Sequence, residues 1–220
     1  MDAQTIIAKR IARELKSGML VNLGIGIPTK VANFLPQDVK IFFQSENGLI
    51  GTGAIPEEGM AHPLLTDAGG NPVTALPGAC TFDSAMSFGL IRGGHVDITV
   101  LGALQVDGHG RLANWMIPGK MVPCMGGAMD LVTGAKRVII AMQHTAKGKP
   151  KIVEACTLPL TSARPIDMLV SEMAVITFQG GKATLVETGP GVTVEQVVAA
   201  TEAKLVLPEK IPQMPVSDDR

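Results

Sequence analysis

The stretch that decides the fold is residues 19–44, MLVNLGIGIPTKVANFLPQDVKIFFQ. It reads as an apolar strand over 19–23, the glycine turn GIGIPT over 24–29, a short helix over 30–35 and a second apolar strand over 39–44. Strands joined through a helix in this way lie parallel, and helices cover both faces of such a sheet. This segment therefore predicts an α/β fold.

The rest of the chain repeats the pattern of apolar strands and amphipathic helices. The further predicted strands are 98–101, 137–142 and 174–178, and the further predicted helices are 3–17, 82–92 and 194–204. Asp2 is placed to cap the first helix, and Thr193 with Gln196 forms a capping box for the last. We expect one α/β domain over 1–207, with a mostly parallel sheet covered by helices on both faces, and a loosely ordered tail over 208–220.

Composition excludes several classes of function. The 220 residues include 19 basic and 20 acidic side chains, no tyrosine, one tryptophan and six phenylalanines. The chain thus lacks both the basic surface and the aromatic platforms on which nucleic-acid binders depend. No segment reaches the ~18 consecutive apolar residues of a membrane span, and the first residues lack the apolar run of a signal peptide. We expect a soluble, cytoplasmic protein that binds neither nucleic acid nor membrane.

Cysteines and histidines give no sign of a metal site. Cys80, Cys124 and Cys156 form no CxxC pair, and the four histidines do not pair at the spacing of metal ligands. We interpret the cysteines as buried thiols. The 25 glycines instead suggest turns, or backbone that approaches a ligand closely.

Gly24 and Gly26 open one candidate ligand site. With Glu46, which follows Gly26 by 20 residues, they resemble half of a dinucleotide-binding fingerprint. Thr29 stands where the third glycine of that fingerprint would be, and Pro28 would begin the helix early. From the residues alone, the turn fits a nicotinamide site, a plain tight turn or a backbone surface that faces another ligand.

Two further segments carry chemistry. Glu46, at the mouth of a buried strand, either accepts hydrogen bonds from its own turn or, in a site closed to water, acts as a nucleophile towards an activated acyl group. Gly126-Gly127-Ala128 precedes a predicted helix, and N–H groups at such a start can hold an oxyanion or a phosphate. The same glycine pair also fits an ordinary turn.

Six motifs, in order along the chain, carry a family resemblance. They are VNLGIGIP (21–28), QSENG (44–48), LPGA (76–79), IRGGH (91–95), ANWMIPGKM (113–121) and MGGAMDLV (125–132). In this order they resemble the β subunit of class I CoA-transferases of the 3-oxoacid type, and the match runs from about residue 2 to residue 205. The resemblance implies the class I CoA-transferase fold and an active site shared with a separate α subunit, commonly as two copies of each.

The resemblance also implies roles for individual residues. Glu46 is the expected covalent nucleophile, and Gly127 or Ala128 is the expected main-chain oxyanion donor. The residues expected to bind the acyl-CoA are Asn22, Gly24, Gly26, Ser45, Asn47, Gly48 and Gly126.

The implied reaction is ping-pong exchange of CoA between a short acyl-CoA and a 3-oxo acid such as acetoacetate, through a glutamyl-CoA thioester. Coenzyme A is then a substrate, and no metal or permanently bound cofactor is required. A 3-oxoadipate enzyme is the near alternative. Two remoter alternatives also stay open. One is a nicotinamide-dependent oxidoreductase that uses Gly24, Gly26 and Glu46. The other is a non-catalytic CoA-binding subunit in which Glu46 only accepts hydrogen bonds from its turn.

Overall fold

The computed structural model describes residues 1–120 and 125–216. The strands are β1 (Leu20–Leu23), β2 (Phe42–Ser45), β3 (Leu49–Thr52), β4 (Ala75–Thr81), β5 (Ile98–Leu101), β6 (Gln105–Asp107), β7 (Leu112–Ala113), β8 (Arg137–Ala141), β9 (Thr145–Ala146), β10 (Lys149–Pro150), β11 (Ile152–Val153), β12 (Met168–Val170), β13 (Ala174–Thr177) and β14 (Thr184–Thr188). The helices are α1 (Ala3–Ala12), α2 (Ser84–Arg92), α3 (Ala128–Gly134) and α4 (Val194–Ala199), with 3₁₀ turns at Pro28–Phe34 and Gln179–Gly181.

One large sheet organises the described residues, in the order β14-β13-β12-β8-β5-β1-β2-β3-β4. Its five central strands, β12, β8, β5, β1 and β2, are parallel, and two antiparallel strands extend it at each edge. The centre is parallel because its strands are joined by long crossovers, whereas the edge strands follow one another through direct connections. The predicted α/β fold with a mostly parallel central sheet is confirmed.

Helices pack on both faces of this sheet. Ile7 and Ile11 of α1 are fully buried in one apolar cluster, which also includes Ile139 of β8. The next residue of that strand, Ile140, points to the other cluster, in which Ile91 of α2 and further side chains of α3 and α4 are buried. Successive residues of a strand face opposite sides, so an unbroken apolar run such as 138–141 marks a strand covered on both faces.

Helix α1 is shorter than the sequence predicts. It starts as expected, because the Asp2 carboxylate accepts hydrogen bonds from the amides of Gln4 and Thr5, but it ends at Ala12 rather than at residue 17. Beyond that end, Glu14 accepts hydrogen bonds from Arg10 at 2.8 Å and from Arg137 at 3.0 Å. Burial opposes ionisation of Glu14, but the two guanidinium groups outweigh it and lower the pKa of this carboxyl.

Two strands at one edge of the sheet lie outside the predictions. Strand β3 is short and contains Gly51, and β4 is exposed along nearly its whole length and contains Pro77 and Gly78, so neither carries a long apolar run. Their pairing needs a glycine, since a Cβ atom on Gly51 would lie 2.8 Å from the Cβ of Ala79. Strands β12 and β14 of the large sheet and the small sheets β11-β6-β7 and β10-β9 were also not predicted.

The last helix is also shorter than expected. The capping box of Thr193 and Gln196 starts α4, but the helix ends at Ala199. The chain beyond residue 207 then runs beside β14, where the Met214 amide donates to the Thr188 carbonyl at 2.8 Å. Met214 and Val216 are buried in the apolar cluster that also contains Ile7 and Ile11 of α1. Residues 208–210 are exposed. The domain boundary at 207 and the loosely ordered tail beyond it stay predictions.

The cysteine prediction is wrong for Cys80, which is exposed on the edge strand β4, and Cys156 is only half-buried. Burial raises the pKa of the Cys156 thiol to about 11. Cys124 lies outside the described residues. Within the described ranges, no helix is long and apolar enough to cross a membrane.

His144 gives the fold a predicted sensitivity to acid. Its ring is fully buried between the hydroxyls of Ser171, at 2.8 Å, and Thr201, at 2.9 Å, and burial lowers its pKa from 6.5 to about 4. As the pH falls from 6.5 to 4, the unfolded chain takes up a proton at this ring that the folded protein does not. The stability that neutral His144 contributes, about 3 kcal/mol, is thus present above pH 6.5 and is lost by pH 4.

Urea unfolding between pH 7.5 and 4 checks this expectation. The variant His144→Gln should show a shallower loss of unfolding free energy over that range than the wild type. His62→Gln, at an exposed histidine, should keep the wild-type slope. Equal slopes for the wild type and His144→Gln would contradict the prediction.

Candidate active site

Glu46 lies at the carboxyl edge of the parallel sheet. It is the first residue of the turn 46–48 that joins β2 to β3, directly after the last residue of β2. Strand β1 pairs with β2 in parallel, so the two strands end at the same edge. Glu46 is half-buried there. This is the edge at which open α/β sheets bind ligands.

Asn22 of β1 holds the Glu46 side chain. Its Nδ2 donates to Glu46 Oε2 at 3.1 Å, and the Asn22 side chain is buried, with 1% exposed. A buried amide that donates to a half-buried carboxylate fixes the direction in which the carboxylate points. The structure therefore assigns Asn22 to the support of Glu46, whereas the sequence predicted contact with acyl-CoA; that contact stays untested.

Three further polar side chains lie behind Asn22, all buried. Gln44 Oε1 accepts from Asn22 Nδ2 at 2.9 Å, and Gln44 Nε2 donates to Ser87 Oγ at 3.0 Å. On the other side, the Thr99 hydroxyl donates to Asn22 Oδ1 at 3.4 Å. We call Asn22, Gln44 and Ser87 the amide relay. Gln44, Ser87 and Thr99 were not predicted from the sequence as supporting residues. A polar residue in an apolar strand is a signal of such a role, and it is present at Gln44 and Thr99.

Gly127 brings a second element to Glu46. It is the N-terminal cap of α3, and a Cβ atom placed on it would lie 3.3 Å from Glu46 Cγ and 3.4 Å from the ring of Phe88. The Gly127 amide finds no acceptor among residues 1–120 and 125–216. The Ala128 amide, in contrast, donates to the Met125 carbonyl at 3.2 Å. Of the two predicted oxyanion donors, the geometry favours Gly127 over Ala128.

The other predicted glycines have local structural reasons. The Gly24 amide donates to the Val100 carbonyl at 2.8 Å, and a Cβ atom there would lie 3.1 Å from the same oxygen. Gly26 and Gly126 have positive φ angles of 91° and 52°. Gly48 combines a φ of 113° with a Cβ position only 2.0 Å from the Phe82 carbonyl oxygen. Each favours glycine whether or not a ligand is near, and their contact with CoA stays a prediction.

Ser45 and Asn47 contact a neighbouring loop. Asn47 Nδ2 donates to the Thr66 carbonyl at 2.8 Å, and Ser45 Oγ accepts from the Ala68 amide at 2.8 Å. Ser45 and Asn47, which precede and follow Glu46 in the sequence, thereby bind the loop 66–71 through these two hydrogen bonds. Their predicted role in CoA binding is untested, and the contacts that the structure gives them position this loop.

A groove of about 630 Å³ lies beside the Glu46 turn. Its lining includes Leu23, Lys30, Phe43, Ser45, Ile55 and Asn71. A slightly larger groove of about 680 Å³ includes Pro36 and Val39. These residues precede β2, so that groove lies at the opposite edge of the sheet from Glu46. The smaller groove is therefore the one positioned to hold part of a substrate.

A comparison with known families identifies the family of this chain. The Coenzyme A transferase family model matches residues 4–200. The chain belongs to this family. The beta subunit of acetate CoA-transferase from Escherichia coli (strain K12) is 57% identical to it over 205 residues, 93% of this chain and 94% of that protein. A probable succinyl-CoA:3-ketoacid coenzyme A transferase subunit of Bacillus subtilis (strain 168) is 48% identical over 211 residues, 96% and 98% of the two chains.

The fold of this coenzyme A transferase chain also matches a solved structure. The acyl-CoA transferase YdiF apoenzyme from Escherichia coli O157:H7 superposes with a TM-score of 0.75 at 21% identity, over 98% of this chain and 44% of that one. The family predicted from the six sequence motifs is thereby confirmed, and so is its fold. Within the described residues, no three His, Cys, Asp or Glu side chains come together as metal ligands.

Proposed function

We propose that this chain is the β subunit of a CoA-transferase that moves CoA between a short acyl-CoA and a 3-oxo acid, with Glu46 as the covalent nucleophile. The observation that carries this proposal is the position of Glu46: Asn22 binds its carboxylate, and the Gly127 backbone lies against its side chain. The family match and the names of the two relatives support the reaction class.

In the first half-reaction, a Glu46 oxygen attacks the thioester carbonyl carbon of the acyl-CoA. The carbon–sulfur bond breaks, CoA leaves as a thiolate, and a mixed anhydride remains on Glu46. The thiolate sulfur then attacks the glutamyl carbonyl carbon, and the acyl group leaves as a carboxylate that carries one oxygen of Glu46. The product on the protein is a glutamyl-CoA thioester, and the second acid reverses these steps.

Gly127 supplies the charge stabilisation that these steps need. Each attack places negative charge on a carbonyl oxygen, and a fixed backbone N–H aimed at that oxygen lowers the barrier by ~3 to 4 kcal/mol. Gly127 lies against the Glu46 side chain, and its amide has no acceptor among the described residues. An anhydride or thioester hydrolyses in water, so the complete site must also be closed during the reaction.

The closing surface belongs to a separate α subunit. Glu46 is only half-buried in this chain, and Leu76 of the edge strand β4 is exposed. The connection from β3 to β4 also exposes Ile55, Met60 and Leu64 to at least 73% of their full area. Large exposed apolar side chains are typical of a protein interface, and we assign these to the contact with the α subunit. Both relatives are named as subunits, which supports a hetero-oligomer, for which we propose two copies of each chain.

For the acids, we propose acetate and acetoacetate, with 3-oxoadipate as the alternative acceptor. Coenzyme A enters as a thioester substrate, and no cofactor stays bound between turnovers. The pantetheine and nucleotide of CoA, remote from the reacting carbon, contribute binding energy that is expressed in the transition state. We place the enzyme in the cytoplasm.

Transfer by the assembled α–β complex tests this function. We expect acetoacetyl-CoA to donate CoA to acetate. Double-reciprocal plots of initial rate against the concentration of one substrate, at several fixed concentrations of the other, should be parallel, because the first product leaves before the second acid binds. A panel with succinate and 3-oxoadipate as acceptors identifies the preferred acid. NADH binding without CoA transfer would favour the oxidoreductase alternative, and transfer preserved in Glu46→Ala would favour the non-catalytic one.

A further inference from the structure

The partner of Glu46 is itself held by a buried chain of hydrogen bonds. Asn22, Gln44 and Ser87 are 1%, 3% and 0% exposed, and they belong to β1, β2 and α2. Two bonds of 2.9 and 3.0 Å join them in series, from Asn22 to Gln44 and from Gln44 to Ser87. Buried polar groups of this kind are costly unless every member is paired, so their presence calls for a reason.

One main-chain carbonyl fixes the polarity of the whole relay. Asn22 Nδ2 lies 3.2 Å from the Gln44 backbone oxygen, which can only accept a hydrogen bond. The end of the Asn22 amide that faces Gln44 and Glu46 must therefore be the nitrogen. The Gln44 side chain then turns its oxygen to Asn22 and its nitrogen to Ser87. A donor is thus presented to Glu46 in one orientation, without an alternative flipped arrangement.

The relay also connects the nucleophile to helix α2. Ser87 lies in this helix next to Phe88, and the Phe88 ring is the other group that a Cβ atom on Gly127 would approach, at 3.4 Å. Arg92 at the end of α2 pairs with Asp130 of α3 at 2.7 Å. The helix that anchors the relay therefore also packs against the start of α3, where the proposed oxyanion donor lies.

We propose that Gln44 and Ser87 are positioning residues, which hold the Asn22 amide against Glu46 and align the nucleophile with the Gly127 amide. This proposal rests on the proposed function. When the CoA thiolate attacks the glutamyl carbonyl, the charge develops on a Glu46 oxygen, and a donor fixed in advance at that oxygen is worth most at this moment. Loss of the relay therefore slows chemistry more than it weakens substrate binding.

The test compares kinetic constants of the α–β complex with acetoacetyl-CoA and acetate. Gln44→Met keeps the length of the side chain but removes both hydrogen bonds. We expect kcat to fall about 10- to 100-fold, while KM for acetoacetyl-CoA changes by less than about 3-fold. Ser87→Ala should have the same effect. Its matched control is Ser84→Ala, at an exposed serine of the same helix α2, which should leave both constants unchanged.

The double variant Gln44→Met/Ser87→Ala separates positioning from folding. It leaves no unpaired partner between the two sites, so it should recover thermal stability relative to Ser87→Ala alone, while kcat stays low. Recovery of kcat together with stability would show a merely structural role and overturn the proposal.

The modification of Glu46 is measured in the same samples by mass spectrometry after incubation with acetoacetyl-CoA and borohydride reduction. A modified wild type with kcat of Gln44→Met within about 2-fold of wild type overturns the relay alone. An unmodified wild type that still transfers CoA overturns the proposed function, and the relay with it.

Discussion

Replacement of Glu46 by glutamine is expected to lower CoA transfer by about 10⁴-fold or more, because an amide cannot displace CoA from a thioester. The glutamine has nearly the same shape and can still accept a hydrogen bond from Asn22, so the fold should be unchanged. Glu46→Asp should also be severely impaired. Its carboxylate would be withdrawn by one methylene from a position fixed by Asn22 and Gly127.

Glu202→Gln is the matched control for Glu46→Gln. Glu202 is an exposed glutamate after helix α4, so the same chemical change there should leave the rate within about 2-fold of the wild type. Initial rates with acetoacetyl-CoA and acetate measure both variants in the α–β complex. If Glu46→Gln retained more than about a tenth of the wild-type rate, the nucleophile would have to be another group.

The second large effect is expected at Gly127. A Cβ atom there would lie 3.3 Å from Glu46 Cγ and 3.4 Å from the Phe88 ring, which is tighter than most contacts in proteins. Gly127→Ala should therefore displace the carboxylate and lower kcat about 10- to 100-fold, and Gly127→Val about 10³-fold. The backbone of Gly127 has φ −82° and ψ 2°, angles open to any residue, so the variants should fold.

Gly89→Ala is the control for the added methyl group. Gly89 lies within α2, and a Cβ atom there meets nothing within 4 Å. This substitution should keep the wild-type kcat and raise stability slightly, because alanine favours a helix over glycine. Normal kcat in Gly127→Val, with a normal melting temperature, would separate Gly127 from the reaction.

Four of the five central strands, β1, β2, β5 and β8, are predictable from the sequence because their cause is local. The run 137–141 is apolar at nearly every position, and such a run marks a strand covered on both faces. Strand β4 could not be predicted in this way. It is an exposed edge strand, and what fixes it is its pairing with β3, to which it is joined by a long connection. Edge strands of this kind carry little periodicity of their own.

The candidate site likewise contains residues that the sequence predicts and residues that it does not. Glu46 and Gly127 stand out as a carboxylate after a strand and a glycine before a helix, and the structure brings them together. The amide relay joins residues 22, 44 and 87, and no spacing along the chain indicates that these three side chains meet. Gly48 was assigned to the ligand, yet the Phe82 carbonyl against its Cα already requires a glycine there.

The covalent state of Glu46 during turnover decides whether the proposed reaction takes place at this residue. The α–β complex is incubated with acetoacetyl-CoA alone, reduced with borohydride, digested and analysed by mass spectrometry, with a sample lacking the thioester as control. We predict reduction of the Glu46 side chain to an alcohol only where acetoacetyl-CoA was present. An unmodified Glu46 in a complex that still transfers CoA to acetate would contradict the assignment of Glu46 as the nucleophile.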